Sequence, residues 1–301
     1  MDRLDAMSTL LAVATAGSLS AAARQTGTPL ATVSRKISDL ESHLKAKLLH
    51  RSNRRLEPTD AGLAYIESCR RILDDIDEAE RTASGEYRAP RGALSIAAPI
   101  VFGRLHVLPS VAAFLTAFPD IDIRLCLADR LTDLIEEHID IALRIGALPD
   151  SSLYATRIGA LRRTICASPA YFDRAGIPRT PADLANHACI TFEGLMSPTE
   201  WTLGSGKTQI TVPIRSRLTV TTAEAAVDAA SAGLGIARIL SYQAAREIRN
   251  GSLIVALQDF EPEPWPVHLL YLGGRMLPIK VRAFLDFATP RLRDSLAAVT
   301  F

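Results

Sequence analysis

The stretch between residues 27 and 44 constrains this chain more than any other. Gly27 permits a sharp turn. Thr28 then reads as a helix N-cap and Pro29 as the first helical residue. Leu30, Val33, Ile37, Leu40 and Leu44 follow at spacings of 3, 4, 3 and 4. That spacing places five apolar side chains on one stripe of a helix and leaves Thr32, Arg35, Lys36 and Asp39 on the other face, with Ser34 toward the flank. Such a helix must pack on a small bundle while offering hydroxyl, guanidinium and ammonium donors outward. Upstream, Leu4 to Ala16 reads as an amphipathic helix with Leu4, Met7, Leu11 and Ala14 on one side, stopped by Gly17. Ser18 caps a short second helix, Leu19 to Gln25, whose Ala21-Ala22-Ala23 lets another helix approach closely.

Charge singles out the same region. Between Ser18 and Leu56 eight basic residues (Arg24, Arg35, Lys36, Lys45, Lys47, Arg51, Arg54, Arg55) face only Asp39 and Glu41, a local net of +6 in a 301-residue chain of net +1. Residues 61–90 carry four basic and seven acidic side chains, a net of −3. A basic block beside an acidic helix points to one end built for a polyanion. After the third helix, Leu48 to Pro58 reads as two short extended pieces around a basic turn, a wing whose arginines reach neighbouring phosphates.

Three segments carry a family resemblance: Ser18-Leu19-Ser20-Ala21-Ala22-Ala23, Thr32 to Glu41, and Leu48-Leu49-His50-Arg51 continuing to Leu56-Glu57-Pro58-Thr59-Asp60-Ala61-Gly62. Across roughly residues 3–66 the chain resembles the LysR-type transcriptional regulators. His50 stands where the family often has Phe, and Thr28 to Thr32 depart from its usual stretch. The resemblance implies a winged helix-turn-helix over residues 1–58 that binds double-stranded promoter DNA. Ser20, Thr28, Pro29, Thr32, Ser34, Arg35, Lys36, Arg51, Arg54 and Arg55 form the expected contact set.

Thr59 caps a long helical pattern running to about Ser84-Gly85, with Leu63, Ile66, Leu73 and Ile76 on one side and Cys69 and Arg70 between them. A lone helix with a narrow apolar stripe wants a partner. In the family that partner is a second copy, so a homodimer or homotetramer is expected, reading two half-sites about one DNA turn apart. Residues 59–90 are taken as the linker helix and a hinge at Glu86 to Gly92.

From Ala93 the pattern alternates strands and helices. Expected strands are Ala93–Ala98, Ile121–Leu127, Ile141–Ile145, Arg163–Ala167, Cys189–Phe192, Thr208–Pro213, Arg217–Val220, Gly235–Ile239 and Val267–Leu272. Expected helices are Arg104–Phe118, Leu131–Glu137, Thr222–Ala232 and Pro278 to about Leu292. This argues for mainly parallel sheets with helices on both faces. The fold class is thus α/β overall, and residues 91–301 form a two-lobed domain (lobe I about 91–160 and 268–301, lobe II about 161–267). Ala98 to Gly103, Asp140 to Gly146, Ala232 to Ala237 and Lys280 to Phe284 resemble the family's effector domain, a periplasmic-binding-protein-like fold. They fall closest to a branch answering to aromatic or reactive small molecules.

Two lobes make a cleft, with a ligand expected at the carboxyl ends of strands. Ile100, Val101 and Phe102 follow the first strand, where backbone N–H groups could hold an anionic group. Arg144 ends a buried strand, and Thr221 and Thr222 open a helix in the other lobe. These six are the candidate effector residues. The surroundings read as rather apolar, which favours an uncharged or aromatic effector.

Enzyme readings find little support. Gly204-Ser205-Gly206-Lys207-Thr208 imitates the end of a phosphate loop, but Trp201 stands where its first glycine belongs. Gly233-Leu234-Gly235 lacks the third glycine of a dinucleotide fingerprint, and Gly233 reads as a helix C-cap. Gly194-Leu195-Met196-Ser197 is not a nucleophile elbow. Glu136-Glu137 read as solvated acids on an exposed helix. No His/Cys spacing suits a metal, and no cofactor is expected. Cys69, Cys126, Cys166 and Cys189 form no close pair. The acidic start (Asp2, Asp5) is unlike an export signal, so reduced thiols in a cytoplasmic protein are expected. No apolar run reaches the about 20 residues of a membrane helix. A small-molecule carrier or transferase is the competing reading, and it leaves the basic module without a purpose.

Overall fold

The computed structural model describes residues 1–51, 56–83, 89–130, 132–192, 199–273 and 277–298. Arg54, Arg55, the expected helix end at Ser84-Gly85, the first three residues of the hinge, Leu131 and the Gly194–Ser197 motif lie outside the described residues. So does the side chain of Arg51. The chain divides into two compact units, Met1–Ala89 and Pro90–Phe301.

In the first unit, α1 (Arg3–Ala16), α2 (Leu19–Thr26) and α3 (Leu30–Leu44) lead into a hairpin of β1 (Leu49–Arg51) and β2 (Leu56–Pro58), and then α4 (Asp60–Ala83). Asp2 Oδ1 accepts the Leu4 and Asp5 N–H groups, and Ser18 Oγ accepts that of Ala21 at 3.1 Å. Gly17 (φ 68°) and Gly27 (φ 65°) end the first two helices in the left-handed conformation, where a Cβ is strained.

The third helix starts one residue later than the sequence suggests. Pro29, not Thr28, is the N-cap, because its ψ of 138° is extended. Its carbonyl takes the N–H of Thr32 and Val33, and the Thr28 hydroxyl turns back to the Thr26 carbonyl. The stripe is shorter too. Val33, Ile37 and Leu40 are buried and Leu44 is half-buried, but Leu30 is 48% exposed, ahead of the point where the helix meets the bundle. In α1 the buried residues are Ala6, Thr9, Leu10 and Val13, one position off the expected stripe; Met7, Leu11 and Ala14 sit at the edge and Leu4 is exposed. This helix is apolar nearly all round, so periodicity alone did not select its inner face.

Glu41 is the fourth buried residue of α3, at 4% exposure. Its Oε1 accepts the Leu48 and Leu49 N–H groups at 2.9 and 3.2 Å, and Lys47 Nζ lies 2.8 Å from Oε2. The start of β1 is thereby tied to the helix. The register Leu49↔Pro58, His50↔Glu57, Arg51↔Leu56 then returns the chain beside it. Leu48 in turn receives α4. Its carbonyl accepts the Thr59 N–H at 2.9 Å, and a Cβ at Gly62 would stand 1.9 Å from the same oxygen. Thr59 caps this helix as expected, its Oγ1 accepting the Gly62 N–H at 2.9 Å. Along α4 the inward stripe is Ile66, Cys69, Leu73 and Ile76. Cys69 belongs to it, whereas Leu63 is 56% exposed.

The second unit contains β3 (Gly92–Ala98), α5 (Ile100–Phe102), a π turn (Gly103–Val107), α6 (Leu108–Ala117), β4 (Ile121–Leu127), β5 (Ile141–Ile145) and β6 (Tyr154–Leu161). After Arg162 come β7 (Arg163–Ala167), α7 (Pro169–Ala175), β8 (Ala188–Phe192), β9 (Glu200–Leu203), β10 (Ile210–Pro213), β11 (Arg215–Val220), α8 (Ala223–Ser231), β12 (Ile236–Leu240), α9 (Ala245–Arg249) and β13 (Ile254–Ala256). The chain then returns through β14 (Trp265–Tyr271) and ends in α10 (Ile279–Ala297).

Two five-stranded sheets result, ordered β4-β3-β5-β14-β6 and β11-β8-β12-β7-β13. The expected parallel pairing holds for β4-β3-β5 and for β11-β8-β12, while β14, β6, β7 and β13 pair antiparallel. The cause is the crossing: β6 runs into β7 through one residue, with no helix between to carry the chain back to its starting edge. The largest core cluster packs Leu94, Phe102, Phe114, Ile141 and Phe284 of the first lobe together with Phe192, Ala223, Leu240 and Tyr242 of the second.

Three local expectations change. The segment expected to be helical up to Glu137 is a run of turns at 134–138, wound by Asp133 Oδ1 accepting the Ile135 and Glu136 N–H groups. Glu137 is no free acid, since Arg130 holds both of its oxygens, at 2.6 and 2.5 Å. The final helix runs on to Ala297, beyond the expected end near Leu292, because Leu296 is a core residue. Gly233 sits just past α8 at φ 77°, with the Leu234 N–H bonded to the Ala229 carbonyl, a left-handed helix ending as expected. Residues 204–208 form the polar turn between β9 and β10. Among the described residues one helical stretch, Ile100–Ala117, is long and apolar enough to cross a membrane, and 44% of it is buried in this fold.

Three outcomes are expected for the first unit. Glu41→Ala strands two buried N–H groups and should cost about 1–3 kcal/mol in urea denaturation. Burial raises the Glu41 carboxyl, but the Lys47, Leu48 and Leu49 hydrogen bonds outweigh it and hold the group below its ordinary 4.5. Its contribution is therefore complete above pH 4.5 and fades as pH falls through the lowered value, and Glu41→Gln should flatten that acid limb. Gly62→Ala should destabilise by about 1–3 kcal/mol, since the Leu48 backbone must move.

Candidate functional site

The outward side of α3 carries the first candidate site. Arg35 is exposed and has no ion-pair or hydrogen-bond partner among the described residues. Thr32 and Ser34 are half-exposed beside it, and Ser20 of α2 and Pro29 are exposed. Thr28 is half-buried. Lys36 differs from its neighbour: its Nζ lies 2.7 Å from Asp5 Oδ1 on α1, and its side chain is only 24% exposed. The sequence put Arg35 and Lys36 on one outward face; the fold leaves one free and uses the other to join two helices. The β1–β2 hairpin follows directly, with His50 exposed on β1.

The second candidate site is a cavity of about 390 Å³ where the two lobes meet. Its wall takes Ala98 and Pro99 from the end of β3, Asp129, Arg130 and Thr132 from the loop after β4, Arg144 from β5, and Phe192, Leu240, Tyr242 and Gln243 from the second lobe. These positions lie at or just past strand carboxyl ends, where an open α/β sheet offers its loops to a ligand.

Of the six expected effector residues, only Arg144 lines this cavity. Val101 and Phe102 are buried in the core, and the Phe102 ring lies 5.3 Å from Tyr242, edge to face. The Ile100 N–H, expected to meet an anionic ligand, donates to Asp129 Oδ1 at 3.0 Å. Thr222 Oγ1 caps α8 by accepting the Ala225 N–H, and Thr221 is exposed beside it, away from the cavity wall. Sequence reasoning missed Asp129, Tyr242 and Gln243. The signal was present: each stands one to three residues past a strand that had been recognised.

The wall is braced from within. Arg144 donates to the carbonyls of Arg130 and Thr132, and burial lowers its guanidinium below the ordinary value. Gln243 Oε1 accepts the Leu240 N–H at 2.9 Å, while its Nε2 donates to the Tyr242 hydroxyl at 3.4 Å. Burial holds the Tyr242 phenol above its ordinary value. Across the lobes, Arg104 pairs with Glu224 at 2.8 Å, and His106 lies 5.7 Å from Tyr242. Burial lowers the His106 imidazole, so it stays neutral at neutral pH. The described residues contain no group of three or more His, Cys, Asp or Glu placed to hold a metal.

Comparison with known proteins bears on the fold and the family. The family model described as a bacterial regulatory helix-turn-helix protein of the lysR family matches residues 4–63, and the one described as the LysR substrate binding domain matches residues 88–293. A transcriptional repressor of Pseudomonas aeruginosa is 35% identical over 95% of this chain and 91% of its own length. The transcriptional activator AaeR of Escherichia coli is 32% identical over 96% of this chain and 94% of its own. The full-length structure of the Vibrio cholerae virulence activator AphB superposes with a TM-score of 0.61 at 29% identity, covering 95% of this chain and 98% of that one. CrgA of Neisseria meningitidis does so with 0.61 at 29%, covering 96% and 98%.

Proposed function

Since the chain belongs to the LysR family of transcriptional regulators, we propose that it reads promoter DNA through the outward face of α3 and answers to a small molecule held in the inter-lobe cavity. Residues 1–58 serve as the reading domain, 59–90 as linker and pairing helix, and 91–301 as the sensor. The observation that carries this reading is Arg35: a free, exposed guanidinium on a helix whose other face is locked into a bundle. It suits a base edge in the major groove, and the half-exposed Thr32 and Ser34 and the exposed Ser20 and Pro29 complete the contact set. Lys36 serves first as a brace to Asp5. Arg51, Arg54 and Arg55 supply phosphate contacts from the wing.

Pairing of two copies rests on α4. Ile66 and Cys69 are buried in their own bundle, while Leu73 and Ile76 carry the same stripe beyond it, half-exposed and outside that core cluster. A second α4 would cover them. Two reading helices on one twofold axis then engage two half-sites.

Binding to the DNA beside the protein's own gene, measured by fluorescence anisotropy, should weaken steeply with salt. Arg35→Ala should cost about 1–3 kcal/mol on the specific site and little on random DNA. Equal loss on both would make Arg35 a phosphate contact. Lys36→Ala should lower DNA affinity less and cost under about 1 kcal/mol of stability, as a partly exposed pair does. Leu73→Asp with Ile76→Asp should move the sedimentation profile toward the monomer.

A further inference from the structure

The inter-lobe cavity is lined by two cations, Arg130 and Arg144, and one anion, Asp129. Arg130 is held by the two oxygens of Glu137 at 2.6 and 2.5 Å. Arg144 keeps its charge but donates from its two terminal nitrogens to the Arg130 and Thr132 carbonyls, bracing the loop that carries Asp129. The Ile100 N–H, at the helix start where a ligand anion would be expected to dock, already donates to Asp129 Oδ1 at 3.0 Å. Asp129 lines the cavity, and its second oxygen has no donor among the described residues. Gln243 is engaged at both ends, by the Leu240 N–H and the Tyr242 hydroxyl. Most of the remaining wall is apolar, with Ala97, Ala142, Leu143, Phe192 and Leu240.

We infer that this cavity selects a ligand with an apolar body and a donor end, cationic or neutral, and rejects carboxylates, with Asp129 as the selecting group. The inference rests on the cavity being the effector site. A carboxylate that approaches the start of α5 meets the like charge of Asp129 and must break the Asp129–Ile100 bond to reach that N–H. An amine or amidine instead gains a charge-assisted hydrogen bond from the vacant side of the same carboxylate. Asp129 stands where a ligand's anion would otherwise sit, so the protein carries that anion itself.

The test uses three flat probes of nearly one shape and different charge: benzamidine, benzamide and benzoate. Each is titrated calorimetrically into the full-length protein at fixed ionic strength. Benzamidine should bind at least about tenfold more tightly than benzoate, a gap of about 1.4 kcal/mol, with benzamide between. Asp129→Asn keeps an oxygen for the Ile100 N–H and should close most of that gap. If that variant does not fold, Gln243→Glu adds a second carboxylate and should widen it. Benzoate binding as well as benzamidine, a gap unchanged in the variant, or no binding of any probe overturns the ligand class. Leu240→Trp separates this from the cleft reading. Probe binding that survives filling the cavity places the ligand elsewhere and overturns the effector site itself. A carboxylate preference abolished by Leu240→Trp overturns only the ligand class.

Discussion

The buried carboxylate of Glu41 is where the reading helix and the wing become one object. A three-residue strand cannot hold itself in place, and the first N–H groups of the wing are buried beneath it. Glu41 satisfies both, and Lys47 makes up part of what burying the charge costs. With Leu48 fixed in this way, its carbonyl receives Thr59, and α4 closes against it at a distance that only glycine allows at position 62. α3, the hairpin and α4 are thus set in sequence by one acid.

The second unit applies the same physics to a cavity. Its polar wall is satisfied internally: Arg144 on carbonyls, Arg130 on Glu137, Ile100 on Asp129. Such a site stays formed without a ligand, and what it leaves over decides what it accepts. The lobes meet near the cavity through an exposed Arg104–Glu224 pair and the aromatic edges of Phe102, His106 and Tyr242, with Phe102 and Tyr242 lying in the core cluster that both lobes share. An exposed ion pair is worth under about 1 kcal/mol, so the shared apolar core rather than that pair holds the lobes together.

Much of this was legible in the residues. Spacing found three helices, the wing and the long α4 to within a residue or two, and most strands of the second unit at nearly their observed ends. The differences between pattern and fold share a cause. In α1 two stripes were equally apolar, and only the packing of α2, α3 and α4 chose Leu10 and Val13. The segment up to Glu137 had helical composition, but Asp133 and the Arg130–Glu137 clamp wound it into turns. Ile100, Val101, Phe102, Thr221 and Thr222 looked like ligand contacts because of where they stood in the chain. The fold gave those backbone and hydroxyl groups internal duties or left them off the cavity wall.

By itself, then, the sequence determined the winged bundle, the two-lobed α/β architecture and the family. The bundle and the alternation of strands and helices follow from periodicity, turn residues and local charge, which act between neighbours in the chain; the family followed from the resemblance of whole segments. Only the tertiary structure decided that Arg35 is free while Lys36 is bound, that Glu41 joins helix to wing, and that Asp129 rather than a ligand caps the start of α5. Each of those pairings closes a distance between residues that are far apart or differently placed in sequence. A hydrogen bond of about 3 Å depends on how elements pack, which no local pattern encodes.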